Sequence, residues 1–297
     1  MSEYSELSPA AHRAAEKAEA NDEALDTVWV EAEPLIDRIP RWVAMLGLFL
    51  VILTIWYGAT ALGFVSPIIL PGPGETWRDI LFVGGNLVSG DYMLEAFFTT
   101  ARTVFYAFLI AFAIGFSLGV LVGETKFGER AVMPYLVAID TMPKIAFAPL
   151  FIAWLGFGIQ SKVALAAFIA TFPIVVSTAA GLYAASENER ALFKSMGASR
   201  FQTLVGLKLP LALPYLFAGL KIAAVGVMAG AITGEFLGGG EGFGALIRVS
   251  ASQMNTPRVF SLIIYLSFLG LFLYLFIVWV QRTFVFWNKA DTPGGVG

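Results

Sequence analysis

Cysteine is absent from this 297-residue chain, and histidine occurs once, at His12. The first absence excludes disulfides, thiol nucleophiles and thiolate metal sites. The second leaves no histidine cluster for zinc and removes the usual general base. Charge is scarce too: 14% of residues are Asp, Glu, Lys or Arg, against about a quarter in a soluble globular chain. No Gly-x-x-x-x-Gly-Lys-Ser/Thr loop occurs, so the chain lacks that cradle for nucleotide phosphates. The stretch before Pro40 is acidic, with Glu3, Glu6, Glu16, Glu19, Asp22 and Glu23 among its carboxylates, a balance that argues against nucleic acid as a partner. What remains is 58% hydrophobic, with mean hydropathy +0.75. The chain reads as an all-α, polytopic membrane protein.

A helix needs roughly 20 mainly apolar residues to cross the hydrocarbon layer. Six stretches qualify: 42–62, 100–122, 131–155, 163–183, 216–237 and 259–285. Asp140, Pro143 and Lys144 interrupt the third, which fits either a straight or a broken helix. The first apolar run follows the acidic stretch rather than a basic N-terminus, so it is expected to stay as an anchor, not to be cleaved as a signal. Connections holding Lys126, Arg130, Arg190, Lys194, Arg200, Lys208 and Arg282 are far richer in Lys and Arg than those holding Arg78, Arg248 and Arg258. The positive-inside rule therefore puts both termini in the cytoplasm. The organisation is an acidic cytoplasmic tail (1–41), a membrane domain (42–285) and a short cytoplasmic C-terminal tail (286–297). A short surface helix is expected over 76–82.

The most informative connection is 186–210, SENERALFKSMGASRFQTLVGLKLP. Ser186 with Glu189, and Ser199 with Gln202, have capping-box spacing. Gly197 stands where a first helix should end in a left-handed cap. Phe201, Leu204 and Val205 give a second helix an apolar face, and Pro210 is expected to end the unit. This is a helix–turn–helix on the inner surface, directly before a span.

Gly197, Leu207, Leu209 and Pro210 fall in register with the loop Glu-Ala-Ala, three residues, Gly, nine residues, Ile, one residue, Leu-Pro of importer permeases. Ala191, Leu192 and Phe193 replace its Glu-Ala-Ala. The segments SPIILPGP (66–73), TMPKIAFAPLFIAWLGFG (141–158), LPLALPYLFAGL (209–220) and GEFLGGGEGFGALI (234–247) extend the likeness. The last of these is read as the end of the fifth span and the loop after it. The chain resembles the permeases of nitrate, sulfonate and taurine importers, a group that also carries bicarbonate and thiamine-pyrimidine precursors. The resemblance implies a type I ATP-binding cassette importer permease fold, six helices per chain, working in the bacterial inner membrane. It implies a homodimer around one path, two ATPase subunits that bind ATP and Mg, and an outer substrate-binding protein; no cofactor belongs to this chain. The loop would dock on the ATPase through Glu189, Ala191, Lys194, Ser195, Gly197, Ala198 and Arg200.

Gly115, Gly119 and Gly123 recur every four residues, as do Gly226, Gly230 and Gly234. Each trio lies on one helix face, where backbones approach closely, for sliding or for static packing. Charges at bilayer depth cost about 2.5–3.5 kcal/mol or more. Asp140 and Lys144, one turn apart, fit a functional kink in the translocation path or a structural ion pair. Glu235 fits the path's outer mouth or a cap on a neighbour. Arg102, Lys162 and Lys221 are expected to snorkel toward headgroups. No residue carries a catalytic or metal-binding signature. A gradient-driven transporter or channel is the alternative, but it predicts repeats and midplane ionisable groups that this sequence lacks.

Overall fold

The computed structural model describes residues 40–287; the acidic tail, His12 and positions 288–297 lie outside them. Among the described residues every regular element is helical. The chain divides into two units at Gly58. Helix α1 (Arg41–Ala61), most of which lies in the first unit, is long and apolar enough to cross a membrane.

The second unit begins with α2 (Pro73–Ser89), longer than the surface helix expected. Pro73 starts it, and Gly90, at φ +80°, ends it in the left-handed conformation that glycine adopts without penalty. Four contacts seat α2 on α11 (Thr256–Phe284). Arg258 Nε donates to both carboxylate oxygens of Asp79, at 2.8 and 3.0 Å. Its guanidinium lies 4.4 Å from the Phe82 ring centroid. Ser261 Oγ donates to the Thr76 carbonyl, and Tyr265 Oη to that of Ile80.

Helix α3 (Tyr92–Gly123) starts eight residues before the apolar window that announced it. The third span is broken. Residues Gly128–Asp140 and Lys144–Leu155 form two apolar arms bent by 81°. The first arm ends as α4 (Met133–Asp140) and the second as α5 (Ala148–Leu155), with Pro143 at the break. Then come α6 (Ile159–Tyr183), the two short helices α7 (Glu187–Ser195) and α8 (Arg200–Thr203), α9 (Leu209–Gly238), a short apolar α10 (Phe243–Ser252) and α11. Among the described residues five helices, or six if the bent pair is one span, are long and apolar enough to cross a membrane.

Pro210 does not end the helix–turn–helix unit. It sits in the first turn of α9, and the helix runs unbroken from Arg200 to Gly238, 39 residues. The cause is a widened π turn at Leu204–Lys208, closed by the Leu209 N–H on the Leu204 carbonyl. A proline ring collides with the carbonyl four residues back in an ordinary helix, and the extra residue in the turn relieves that clash. The same device recurs at Gly128–Val132, just before Pro134.

The core is built around α6. Both glycine rows lie against it. Gly115, Gly119 and Gly123 meet Ile174, Thr178 and Leu182, so α3 and α6 run parallel. Gly226, Gly230 and Gly234 meet Ile169, Ala166 and Lys162, so α9 runs antiparallel, and Gly219 extends that row against Ser177. Lipid tails give helices no hydrophobic reason to associate, so such close packing is what holds them together.

Candidate functional site

The connection 186–210 is two capped helical pieces. Ser186 Oγ accepts from the Glu189 N–H at 3.3 Å, while Glu189 Oε2 accepts from the Ser186 N–H at 2.7 Å. Ser199 and Gln202 repeat the reciprocal pair at 3.2 and 2.7 Å. Gly197, at φ +78°, closes α7 with a Schellman arrangement: its N–H donates to the Lys194 carbonyl and that of Ala198 to the Phe193 carbonyl. Glu189, Ala191, Lys194, Ser195, Gly197 and Arg200 are exposed, and Ala198 is half-buried. Leu192, Met196 and Phe201 add exposed apolar surface, of the kind that marks a protein contact.

Sequence reasoning missed how the loop is tied to the spans. Arg190 donates through Nε and Nη2 to the Ala185 carbonyl and through Nη2 to that of Tyr183, closing the C-terminus of α6. Lys208 Nζ pairs with Glu124, just past α3, at 2.8 Å. Tyr183 Oη donates to the Val122 carbonyl at 3.0 Å. These partners lie up to 84 residues apart, beyond the reach of any local pattern.

The caps make the loop acid-sensitive. Hydrogen bonds from the Ser186 backbone and hydroxyl hold the Glu189 carboxyl below its ordinary value of 4.5. A depressed carboxyl contributes stability that is present above the unfolded value and lost as pH falls through the folded one. Helicity of the loop is therefore expected to be flat above pH 4.5 and to decline below it. Glu189→Gln, followed by circular dichroism, should remove that decline; an unchanged acid limb would refute the assignment.

In the membrane region, a cavity of about 1060 Å³ opens among α4, α6, α9 and α11, lined by Asp140, Lys144, Pro173, Tyr215, Lys221 and Tyr274 among others. Lys144 forms an ion pair with Asp140 and sits 5.3 Å from the Phe172 ring centroid. Lys221, expected at the headgroups, lines this wall as well.

Glu235 lies elsewhere, fully buried near the far end of α9. Its Oε2 accepts from Thr100 Oγ1 and from the Gly244 N–H, each at 2.9 Å. Thr100 Oγ1 in turn accepts from the Phe243 N–H at 2.9 Å. Oε1 has no hydrogen-bond partner among the described residues. The carboxylate thus caps α10, a helix the sequence reading took for loop. Glycine is required beside it, because a Cβ on Gly244 would lie 2.7 Å from the Glu235 Cβ. Lys162 does not snorkel: it is buried, and its Nζ donates to the Glu241 carbonyl at 2.8 Å. Its backbone packs against Gly234 of α9, which turns the side chain inward. Among the described residues no group of three or more His, Cys, Asp or Glu is placed to hold a metal.

Comparison with known proteins agrees with this geometry. Residues 111–285 match the family model of the binding-protein-dependent transport system inner membrane component. The formylaminopyrimidine transport permease of Halalkalibacterium halodurans is 35% identical over 82% of this chain and 95% of its own length. The riboflavin transport system permease of Chloroflexus aurantiacus is 31% identical over 81% and 88%. The taurine transport system permease of Escherichia coli is 25% identical over 82% and 89%. The inward-facing MetNI methionine transporter shares the fold at a TM-score of 0.56, with 19% identity over 65% of this chain and 96% of that one. A capped helical connection continuous with a cavity-lining helix, together with a family match over residues 111–285, makes this chain a member of the binding-protein-dependent transport system inner membrane component family, a multi-pass permease subunit of an ATP-binding cassette importer.

Proposed function

We propose that two copies of this chain enclose one solute path, that two ATPase subunits seat on their loops, and that a binding protein delivers solute from outside. Both termini face the cytoplasm, in line with the Lys and Arg count. ATP and Mg stay with the partner subunits; this chain carries out no chemistry of its own. The observation that supports this most is continuity: the helix that begins at Arg200 in the loop is the one that carries Tyr215 and Lys221 to the cavity wall. Closure of the ATPase pair then reaches the wall without crossing a flexible joint. Asp140 and Lys144 lie on the same wall and serve the path, at the break where α4 ends.

The solute is a small heterocycle of the pyrimidine-precursor class rather than a sulfonate or nitrate. Two relatives at 35% and 31% identity carry names of heterocyclic vitamins or their precursors, while the taurine permease stands at 25%. The wall suits such a cargo: Tyr215 and Tyr274 offer ring faces, and Lys144 is neutralised by Asp140.

Vesicles holding this chain, its ATPase and its binding protein should take up labelled formylaminopyrimidine only with ATP on the loop side. Arg200→Glu should cut uptake and ATPase co-purification about tenfold, the scale of one reversed interface charge. Uptake driven by an ion gradient without the ATPase would instead establish a secondary transporter. Taurine competing as well as the pyrimidine would refute the solute class.

A further inference from the structure

The Glu235 cluster joins four parts of the chain at one end of the helix core. Thr100 comes from α3, Lys162 from α6 and Glu235 from α9; their partners, the Glu241 carbonyl and the Phe243 and Gly244 N–H groups, come from the start of α10. Every polar tie to α10 from these three side chains ends at or just before its first two residues. Beyond them, its inner face is held by apolar packing of the buried Ala245 and Ile247, and at its start Phe243 meets Phe97 with ring centroids 5.5 Å apart. On the near side of the ties lies a glycine hinge: Gly239, Gly240 and Gly242 stand at φ +64°, +76° and +117°. This is backbone that turns where other residues resist. The piece is therefore a short helix on a hinge, with a polar fastening beside the hinge.

The fastening is incomplete in a way that matters. Burying a carboxylate and an ammonium at bilayer depth is costly, and a permanent rivet would be expected to satisfy every donor and acceptor. Among the described residues Glu235 Oε1 is buried without a hydrogen-bond partner, and the Lys162 ammonium, with three N–H donors, makes one hydrogen bond, to the Glu241 carbonyl. Such a network holds, but opens at less cost than a saturated one. It also stands at the far end of the 39-residue helix that starts in the docking loop, so movement imposed at the loop arrives there.

We infer that Thr100, Lys162 and Glu235 form a latch that holds α10 against the helix core, and that Glu235 is a positioning residue whose release through α10 couples closure of the ATPase pair to opening of the path at that end. The assignment of that end to the outer face rests on the orientation proposed above, so the test is made in a format blind to sidedness.

The lack of cysteine allows a single reporter. Ser250 is buried on the inner face of α10, at 8% exposure, and Ser250→Cys should react with a maleimide only when the helix lifts. In nanodiscs holding the full complex with its ATPase, labelling is expected to be slow. Thr100→Val, which removes the hydroxyl's bonds to Glu235 and to the Phe243 N–H at nearly constant volume, should speed it about tenfold, the worth of one to two buried hydrogen bonds. It should also raise ATP hydrolysis without the binding protein and lower solute moved per ATP by a similar factor. Thr100→Ser should restore both readouts. Glu235→Gln provides a second lesion if Thr100→Val assembles poorly. Labelling that neither variant changes would overturn the latch. So would faster labelling with coupling intact, since α10 would then be fastened for stability alone.

Discussion

Gly230→Ala is expected to lower the thermal midpoint of the purified permease sharply, while Gly226→Ala, one turn away on the same row, leaves it near that of the parent. The difference lies in what the added methyl meets. At Gly230 a Cβ would come within 2.6 Å of the Ala166 Cα, a backbone atom that cannot rotate away, and 3.1 Å from Ile169 Cδ1. At Gly226 the nearest atom is Ile169 Cγ2 at 3.3 Å, and no backbone atom comes closer than 3.8 Å, so a shift of a few tenths of an ångström is enough. Overpacking of a tight contact costs about 1–3 kcal/mol, and close packing is the main cohesive force between helices in lipid. Gly119→Ala should resemble Gly230→Ala, since its Cβ would lie 2.6 Å from the Thr178 Cβ and 3.0 Å from the Val175 carbonyl oxygen. Larger side chains at either place should abolish assembly. Equal midpoints for the variants at 226 and 230 would refute this account of the contact.

The second large effect is expected in the docking loop, where substitutions at Gly197 should rank Gly, Asn, Ala, Val in ATPase capture. Gly197 stands at φ +78°, and a Cβ built there meets nothing within 4 Å. The penalty is thus in the backbone itself, not in collision with a neighbour. A side chain in the left-handed region costs roughly 1–2 kcal/mol, least for Asn. Either the loop absorbs that strain or it leaves the Schellman geometry, which turns α8 away from α7. Val, the β-branched case, should lower co-purification about tenfold. Capture by Val equal to that by Gly would mean that the ATPase does not read the angle between the two helices.

Much of this architecture is legible in the sequence because it is local. Apolar windows of about 20 residues locate the six spans, and capping spacings locate α7 and α8. The glycine rows announce helix contacts through their period, though not that α6 is the shared partner. The misses have physical causes. Pro210 reads as a stop only when the turn before it is an ordinary one. Helix α10 is shorter than a span and opens in a glycine run that looks like loop. Lys162 looks like a snorkelling end residue until its helix packs against Gly234. Thr100 and Glu235 lie 135 residues apart, so only the fold brings them together. The cavity wall is assembled in the same way, from α4, α6, α9 and α11.

The π turn at Leu204–Lys208 also fixes an angular phase. One additional residue in a helical turn rotates everything beyond it by about 100°. The face of α9 that looks into the cavity is therefore dialled, relative to the docking helices, by this single widened turn. A related permease that crosses from loop to span with an ordinary turn would present the same docking surface to a differently oriented wall. Loops exchanged between two such proteins would keep their affinity for the ATPase and deliver its stroke in the wrong direction.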